Sequence, residues 1–137
     1  MAAAPVFRFS TVQLQAGIRR LLEQDARLAR AAMRDVAMLL IKAARDRAPI
    51  DEGNLANNIT AEALPYRKSW AAVVYVPINS QAAQYAVPMH EGQYNLGKNS
   101  EAKQLKVGVT VGPGYLSRAV DDNKQKIMAM IAFKVRK

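Results

Sequence analysis

The clearest structural signal in this sequence lies in residues 25–55, which read DARLARAAMRDVAMLLIKAARDRAPIDEGNL. The segment predicts a helix over residues 25–48, because Pro49 disfavours helical geometry in the residue before it. At 100° per residue, apolar and basic side chains fall on opposite faces of this helix. The apolar face comprises Ala29, Ala32, Val36, Leu39, Leu40 and Ala43, and the basic face comprises Arg27, Arg30, Arg34, Lys42 and Arg45.

Two large apolar residues, Met38 and Ile41, fall on the basic side of the same helix. An apolar band around an otherwise amphipathic helix indicates that the helix is contacted on two sides, by its own core and by another molecule. Met38 and Ile41 are therefore candidate subunit-interface residues. The basic side chains are either a solvated face or a contact for an acidic protein or DNA.

Before this helix, residues 1–10 are expected to form a flexible tail or a short strand, since apolar and basic residues alternate over residues 6–9. Ser10 resembles a helix N-cap with Gln13 completing a capping box, and Phe9 and Leu14 have the spacing of a hydrophobic staple. This arrangement predicts a first helix over residues 11–23.

After Pro49 the hydrophobic period changes from helical spacing to alternation, which predicts strands over residues 59–63, 70–76 and 105–111. The first two should form a hairpin. Residues 80–87 are expected to form a short helix or turn, residues 92–104 a mobile polar loop, and residues 115–133 a closing helix after the turn Gly112-Pro113-Gly114. The expected fold is a single α+β domain, residues 1–137, with long N-terminal helices and a C-terminal helix packed on a small, mostly antiparallel sheet.

Composition excludes several functional classes. The chain has 137 residues, no cysteine and one histidine, which rules out disulfide scaffolds, thiolate nucleophiles and multi-histidine metal sites within one chain. The longest strongly apolar run, residues 36–41, is far shorter than the roughly 18–20 residues of a membrane span. The expected product is cytosolic where it is made, with no membrane partner.

The net charge is +9, divided as +5 over residues 1–50, −2 over residues 51–92 and +6 over residues 93–137. Both ends of the chain are basic, which favours nucleic acid, an anionic surface or acidic protein partners.

Catalytic motifs are present only in incomplete form. The run from Gly92 to Lys98 fits GxxxxGK, but the Ser or Thr that would bind magnesium is replaced by Asn99. His90-Glu91 begins like HExxH, yet the second histidine position holds Tyr94. Four carboxylates, those of Asp51, Glu52, Glu62 and Glu91, could in principle bind magnesium, although the first two are better explained as a turn and helix-capping pair. We expect no catalytic site, no cofactor and no metal.

A series of short motifs runs along the chain in fixed order. The basic helix ends in a turn of the form Ala-Pro-x-Asp-x-Gly-x-Leu, followed by the predicted hairpin, a Tyr-Ala pair, an acidic residue with glycine, and a Leu-x-x-Ala helix. In this order, the sequence resembles the head-tail joining, or tail-completion, proteins of tailed bacteriophages, which overlap in pattern with phage minor capsid proteins. The positions that carry the resemblance are Pro49, Asp51, Gly53, Leu55, Tyr85, Ala86, Glu91, Gly92, Leu116 and Ala119.

The resemblance implies a non-enzymatic structural protein of the virion, assembled in the host cytoplasm and located in the neck between head and tail. Its partners would be copies of itself in a cyclic hexamer or dodecamer, the portal or adaptor, and the tail-tube or tail-terminator proteins, with transient contact to phage DNA left open. The helix over residues 25–48, which carries Met38 and Ile41, should supply one face of the subunit contact, and the sheet or the loop over residues 92–103 the other.

A different class of function stays open at this point, that of a small basic nucleic-acid-binding protein. Arg27, Arg30, Arg34 and Arg45 could neutralise successive phosphates from one helical face. The chain has no helix-turn-helix pair, zinc module or aromatic-rich strand for base stacking, which weighs against this alternative.

Overall fold

The computed structural model describes residues 6–10, 14–50, 55–77, 80, 83–92 and 96–135. Helices pack on a three-stranded antiparallel sheet, so the predicted α+β class is confirmed. The elements in chain order are β1 (Val6–Ser10), α1 (Ala16–Gln24), α2 (Ala26–Arg47), α3 (Leu55–Asn58), β2 (Thr60–Tyr66), β3 (Ser69–Tyr75), α4 (Ala83–Glu91), α5 (Lys98–Val107), α6 (Tyr115–Asp122) and α7 (Lys124–Val135).

The sheet has the strand order β1-β3-β2, with both pairs antiparallel. The predicted hairpin is confirmed as β2 and β3, joined by a tight turn in which Arg67 adopts a positive φ of 53°. Residues 1–10 were expected to form a flexible tail or a short strand. The described part, Val6–Ser10, is the strand β1, which pairs with β3 so that Phe9 lies opposite Ala72. The central strand of the sheet is therefore β3, and β2 lies at an edge.

Helix α2 is the element around which the core is built. Asp25 caps its N-terminus by accepting a hydrogen bond from the Leu28 amide at 3.1 Å. The helix ends at Arg47, one residue before the predicted end at Ala48. The predicted apolar face packs against the sheet, where Phe9, Ala72 and Val74 are fully buried. On the helix side, the predicted face is buried except Leu39, which is half-buried. The alanines on this face let the helix lie close to the strands, and their burial holds the two layers together.

The predicted first helix is wrong in its start. Ser10 is the last residue of β1, opposite Ala71, and helix α1 begins only at Ala16, after Gln15, which makes no side-chain capping bond. Pairing with β3 satisfies the backbone of Ser10 in the ladder, so it does not serve as a cap, and Phe9 packs in the core instead of forming a staple. Gln13 lies outside the described residues.

The third predicted strand, residues 105–111, is also wrong, and so is the loop predicted up to residue 104. Residues 98–107 form α5, and Gly108 ends this helix in the left-handed conformation with φ 75°. The alternating residues therefore divide between the end of a helix and an irregular connection, and the third strand of the sheet is β1.

The C-terminal part contains two helices where one was predicted. Asn123 separates α6 from α7, and its side chain donates a hydrogen bond to the Ala119 carbonyl at 2.9 Å, which satisfies one of the carbonyls left open at the end of α6. The segment predicted as a short helix or turn at residues 80–87 becomes helical at Ala83 and continues to Glu91 as α4. No helix in the described part of the chain is long and apolar enough to span a bilayer.

Candidate subunit interface

A groove of about 400 Å³ separates the outer side of α2 from the edge strand β2. Its helix wall carries both candidate interface residues: Met38 is 72% exposed and Ile41 is half-buried. The full lining consists of Arg30, Arg34, Ala37, Met38, Ile41, Ala61, Glu62 and Ala63. The structure thus places Met38 and Ile41 away from the core, at the side of a cavity that is lined by both apolar and charged residues.

The five predicted basic-face residues are all exposed, but they do not form one uniform surface. Towards the C-terminus of α2, Lys42 pairs with Asp46 at 2.8 Å and Arg45 donates to the Ile59 carbonyl at 3.2 Å. Two of the five basic-face side chains are therefore engaged by contacts within the chain.

Nearer the N-terminus of α2, the guanidinium of Arg30 lies 5.4 Å from the ring centroid of Trp70, within cation–π range. Among the described residues, no ion pair or side-chain hydrogen bond engages Arg27 or Arg34. The side chains available to a partner are therefore concentrated beside the groove and towards the start of the helix.

The strand wall of the groove is an edge protected by charge. Glu62 lies in the middle of β2, exposed, and its carboxylate accepts a hydrogen bond from the Tyr75 hydroxyl on β3. This hydrogen bond to the carboxylate raises the pKa of Tyr75. A charged side chain and Pro65 near the strand end are typical means of discouraging unspecific pairing at a sheet edge.

The residues that carry the family resemblance lie mainly in the core. Leu55, Ala86, Leu116 and Ala119 are at most 1% exposed, and Pro49 is also buried. These positions shape the fold and offer no exposed binding surface.

The other motif positions are less informative. Glu91 is exposed at the end of α4, and the amide of Gly92 donates to the Pro88 carbonyl at 2.8 Å. Asp51 and Gly53 lie outside the described residues, and the side chain of Tyr85 is not among those described.

His90, singled out in sequence only as part of an incomplete zinc motif, is a buried structural residue. Its Nε2 accepts a hydrogen bond from the Ser117 amide at 3.2 Å, in the first turn of α6, and its carbonyl accepts one from the Gly114 amide at 2.7 Å. Its ring packs against Phe7 and Tyr115, with centroids at 4.8 and 5.0 Å. The imidazole therefore ties α4 to the N-terminus of α6.

Burial lowers the pKa of His90, and the positive charge of Arg118 lowers it further, whereas Glu91 acts in the opposite direction. The neutral form is also the one that can accept the amide hydrogen bond at Nε2. A single histidine within an apolar segment was the only sequence signal for this role.

Lys103 on α5 is a second residue whose role the sequence did not indicate. Its ammonium group donates to the carbonyls of Ala48, at 2.6 Å, and Arg45, which are among the acceptors left open where α2 ends. On the same helix, the hydroxyl oxygen of Ser100 accepts a hydrogen bond from the Ile50 amide at 2.9 Å. Burial lowers the pKa of the Lys103 amine. Helix α5 is thus attached to the C-terminal end of α2.

The incomplete catalytic motifs acquire no further support from the structure. Lys98 begins α5 and the preceding element is helix α4, so the context is not the strand-loop-helix of a phosphate-binding loop. Within the described residues, no group of three or more histidine or acidic side chains could hold a metal ion. Glu52, like Asp51, lies outside the described residues.

With the geometry established, sequence comparison gives the family. The model of the family described as "Bacteriophage HK97-gp10, putative tail-component" matches residues 13–112. The chain belongs to this family. Among curated proteins and among solved structures, no significant match was found.

The family match covers the basic helix, the hairpin and α5, and it agrees with the resemblance to head-tail joining and tail-completion proteins. The protein is a bacteriophage tail component, a class of virion structural protein that is typically non-enzymatic.

Proposed function

We propose that this protein forms a ring in the neck of a tailed phage, joins the portal or adaptor of the head to the tail, and leaves a central passage for the DNA. The observation that carries the proposal is Met38, 72% exposed beside the α2–β2 groove and flanked by arginines. A monomer gains nothing from presenting a large apolar side chain between charges, whereas a subunit contact would cover it.

The energetic benefit of such a contact is repeated around a closed ring. Burial of an apolar side chain of this size contributes about 1.5–3 kcal/mol, so Met38 and the half-buried Ile41 together provide a few kcal/mol at every interface. Because a closed ring has as many interfaces as subunits, this contribution arises once per subunit, and every subunit takes part in two contacts through different faces.

Charge points to acidic protein neighbours more than to DNA. Lys42 and Arg45 are engaged within the chain, so the continuous phosphate-binding face expected of a nucleic-acid-binding protein is interrupted. Arg27 and Arg34 remain available to carboxylates on a neighbouring subunit or on the portal, adaptor or tail proteins. A passage that bound DNA tightly would also hinder its exit.

The first experiment measures assembly directly. The mass of the wild-type protein in solution and electron microscopy of the particle should show a closed oligomer. The double variant Met38→Glu/Ile41→Lys should stay folded and monomeric, and a phage carrying it should accumulate separate heads and tails. Leu21→Glu, which charges a half-exposed leucine on α1, is the matched control and should assemble normally. Normal virions from the double variant would refute the proposal.

A second experiment separates acidic protein partners from DNA. Replacing Arg27, Arg30 and Arg34 with glutamine should weaken attachment to neighbouring virion proteins in a salt-dependent way and leave the melting temperature nearly unchanged, because exposed charges contribute little to stability. Tight duplex binding by the wild type, with a steep salt dependence lost in this triple variant, would support the nucleic-acid alternative instead.

A further inference from the structure

We infer that the groove between α2 and β2 receives helix α5 of a second copy of this chain, with Glu101 and Leu105 as the contacting side chains. The inference rests on the proposed ring and identifies the other half of its interface. We call the exposed side of α5 defined by Glu101 and Leu105 the α5 ridge.

The α5 ridge is an apolar side chain with a carboxylate one turn before it. Leu105 is 86% exposed, more than any other large apolar side chain described, and Glu101 is exposed four residues earlier on the same helical face. No ion pair or side-chain hydrogen bond within the described residues engages the Glu101 carboxylate. The ridge therefore combines an uncovered apolar group with an uncompensated negative charge.

The opposite side of α5 fixes the ridge in place. Ser100 and Lys103 form hydrogen bonds with backbone groups at and just after the end of α2. The side-chain oxygen of Gln104 accepts a hydrogen bond from the Val111 amide at 2.9 Å. Three inward side chains thus hold a short helix on which Glu101 and Leu105 are exposed. A pre-positioned surface of this kind costs less entropy to bind than a flexible loop.

The groove has the complementary pattern. Its helix wall offers apolar atoms of Ala37, Met38 and Ile41 to a leucine. The same wall carries Arg34, whose guanidinium has no ion pair or hydrogen bond within the described residues. Glu101 is the matching carboxylate for Arg34.

Because the ridge and the groove are different surfaces, the contact is head-to-tail. Each copy carries one ridge and one groove, so every subunit can donate to one neighbour and receive from the other. This is the arrangement that generates closed rings.

The head-to-tail arrangement gives a mixing test with purified full-length protein. Met38→Glu should block the groove and leave the ridge intact, whereas Leu105→Glu should block the ridge and leave the groove intact. Each variant alone should have the mass of one 15.1 kDa chain. Their equimolar mixture should give a dimer and nothing larger, since only one productive contact remains. Lys106→Glu, on α5 but about 100° away from Leu105, is the control and should form the wild-type oligomer.

A charge exchange tests the pairing independently of the apolar contact. Arg34→Glu and Glu101→Arg should each lower the assembled fraction at least tenfold at low salt, and the double variant Arg34→Glu/Glu101→Arg should recover most of it. A double variant that assembles must be folded. Recovery of assembly would therefore show that the single variants lost the charge pairing and not the fold.

Three results would overturn the inference, and they differ in what they imply for the ring. If Leu105→Glu forms the same oligomer as the wild type, the α5 ridge does not supply the contact, and the ring proposal is unaffected. Absence of a dimer in the mixture, when both variants are monomeric, would have the same meaning. A wild-type protein that is monomeric at all concentrations and does not oligomerise on phage heads would refute the ring and this interface together.

Discussion

Replacing Lys103 with methionine should destabilise the protein by about 2 kcal/mol. The ammonium group of Lys103 binds two carbonyls, those of Arg45 and Ala48, near the C-terminus of α2. A hydrogen bond from a charged donor contributes about 1.5–3 kcal/mol, and a cation at a helix C-terminus adds about 0.3–1 kcal/mol. The cost of partly burying the amine offsets some of this gain. Methionine keeps most of the apolar stem and removes the charge together with the N–H donors.

The assay is urea unfolding at fixed protein concentration, with Lys106→Met as the matched control. Lys106 lies on the same helix and is exposed, so its loss should change the free energy of unfolding by less than about 0.5 kcal/mol. For a chain of this length, the expected loss at position 103 lowers the melting temperature by roughly 6–10 °C. Equal stability of the two variants would show that Lys103 does not hold the end of α2.

Three further predictions concern the packing around α6. The fold lowers the pKa of His90, so below about pH 6.5 the unfolded chain binds more protons than the folded one. The urea midpoint should therefore fall as the pH drops through that value. A midpoint that stays constant from pH 7.5 to 5 would contradict this. Gly112→Ala should cost about 1–3 kcal/mol because its φ is 126°, whereas Gly97→Ala, in open space, should be nearly neutral; equal melting temperatures would refute the difference. Tyr115→Phe removes the hydroxyl bonded to the Ala86 carbonyl at 2.8 Å and should cost about 1–2 kcal/mol by urea unfolding, and an unchanged midpoint would contradict it.

Elements with a long, regular hydrophobic pattern could be predicted from the sequence. Helix α2 was predicted to within one residue at each end, because its 22 residues keep one apolar face and Pro49 follows. The hairpin of β2 and β3 was equally clear, since two alternating runs are separated by a short polar turn. In both cases the decisive interactions are close in sequence.

Helix α5 could not be predicted, because the backbone groups to which it is bonded are far away in the sequence. Its alternating residues imitate a strand, while its anchors, Lys103 and Ser100, bind backbone atoms about 50 residues earlier. The same holds for His90, whose partner in α6 is 27 residues away. Local periodicity carries no information on such contacts.

The candidate interface was predictable only on its helix side. The helical pattern placed Met38 and Ile41 away from the core, and the structure puts them there. The strand wall of the groove and the internal contact of Arg45 with Ile59 depend on how α2 packs on the sheet. Tertiary packing therefore decides which part of a basic helix face is left for a partner.

The position of α5 couples the stability of the subunit to its assembly. Only Ser100 is buried in this helix, so the docking of α5 rests largely on the hydrogen bonds of Ser100, Lys103 and Gln104. If only docked α5 can enter the groove of the next copy, the apparent dissociation constant rises as the docked fraction falls. Lys103→Met should therefore weaken assembly, although Lys103 lies on the side of α5 opposite the α5 ridge. Lys106→Met should leave assembly unchanged. Faster amide exchange of α5 in the monomer, together with weaker assembly, is the expected result; faster exchange with unchanged assembly would show that α5 does not supply the contact.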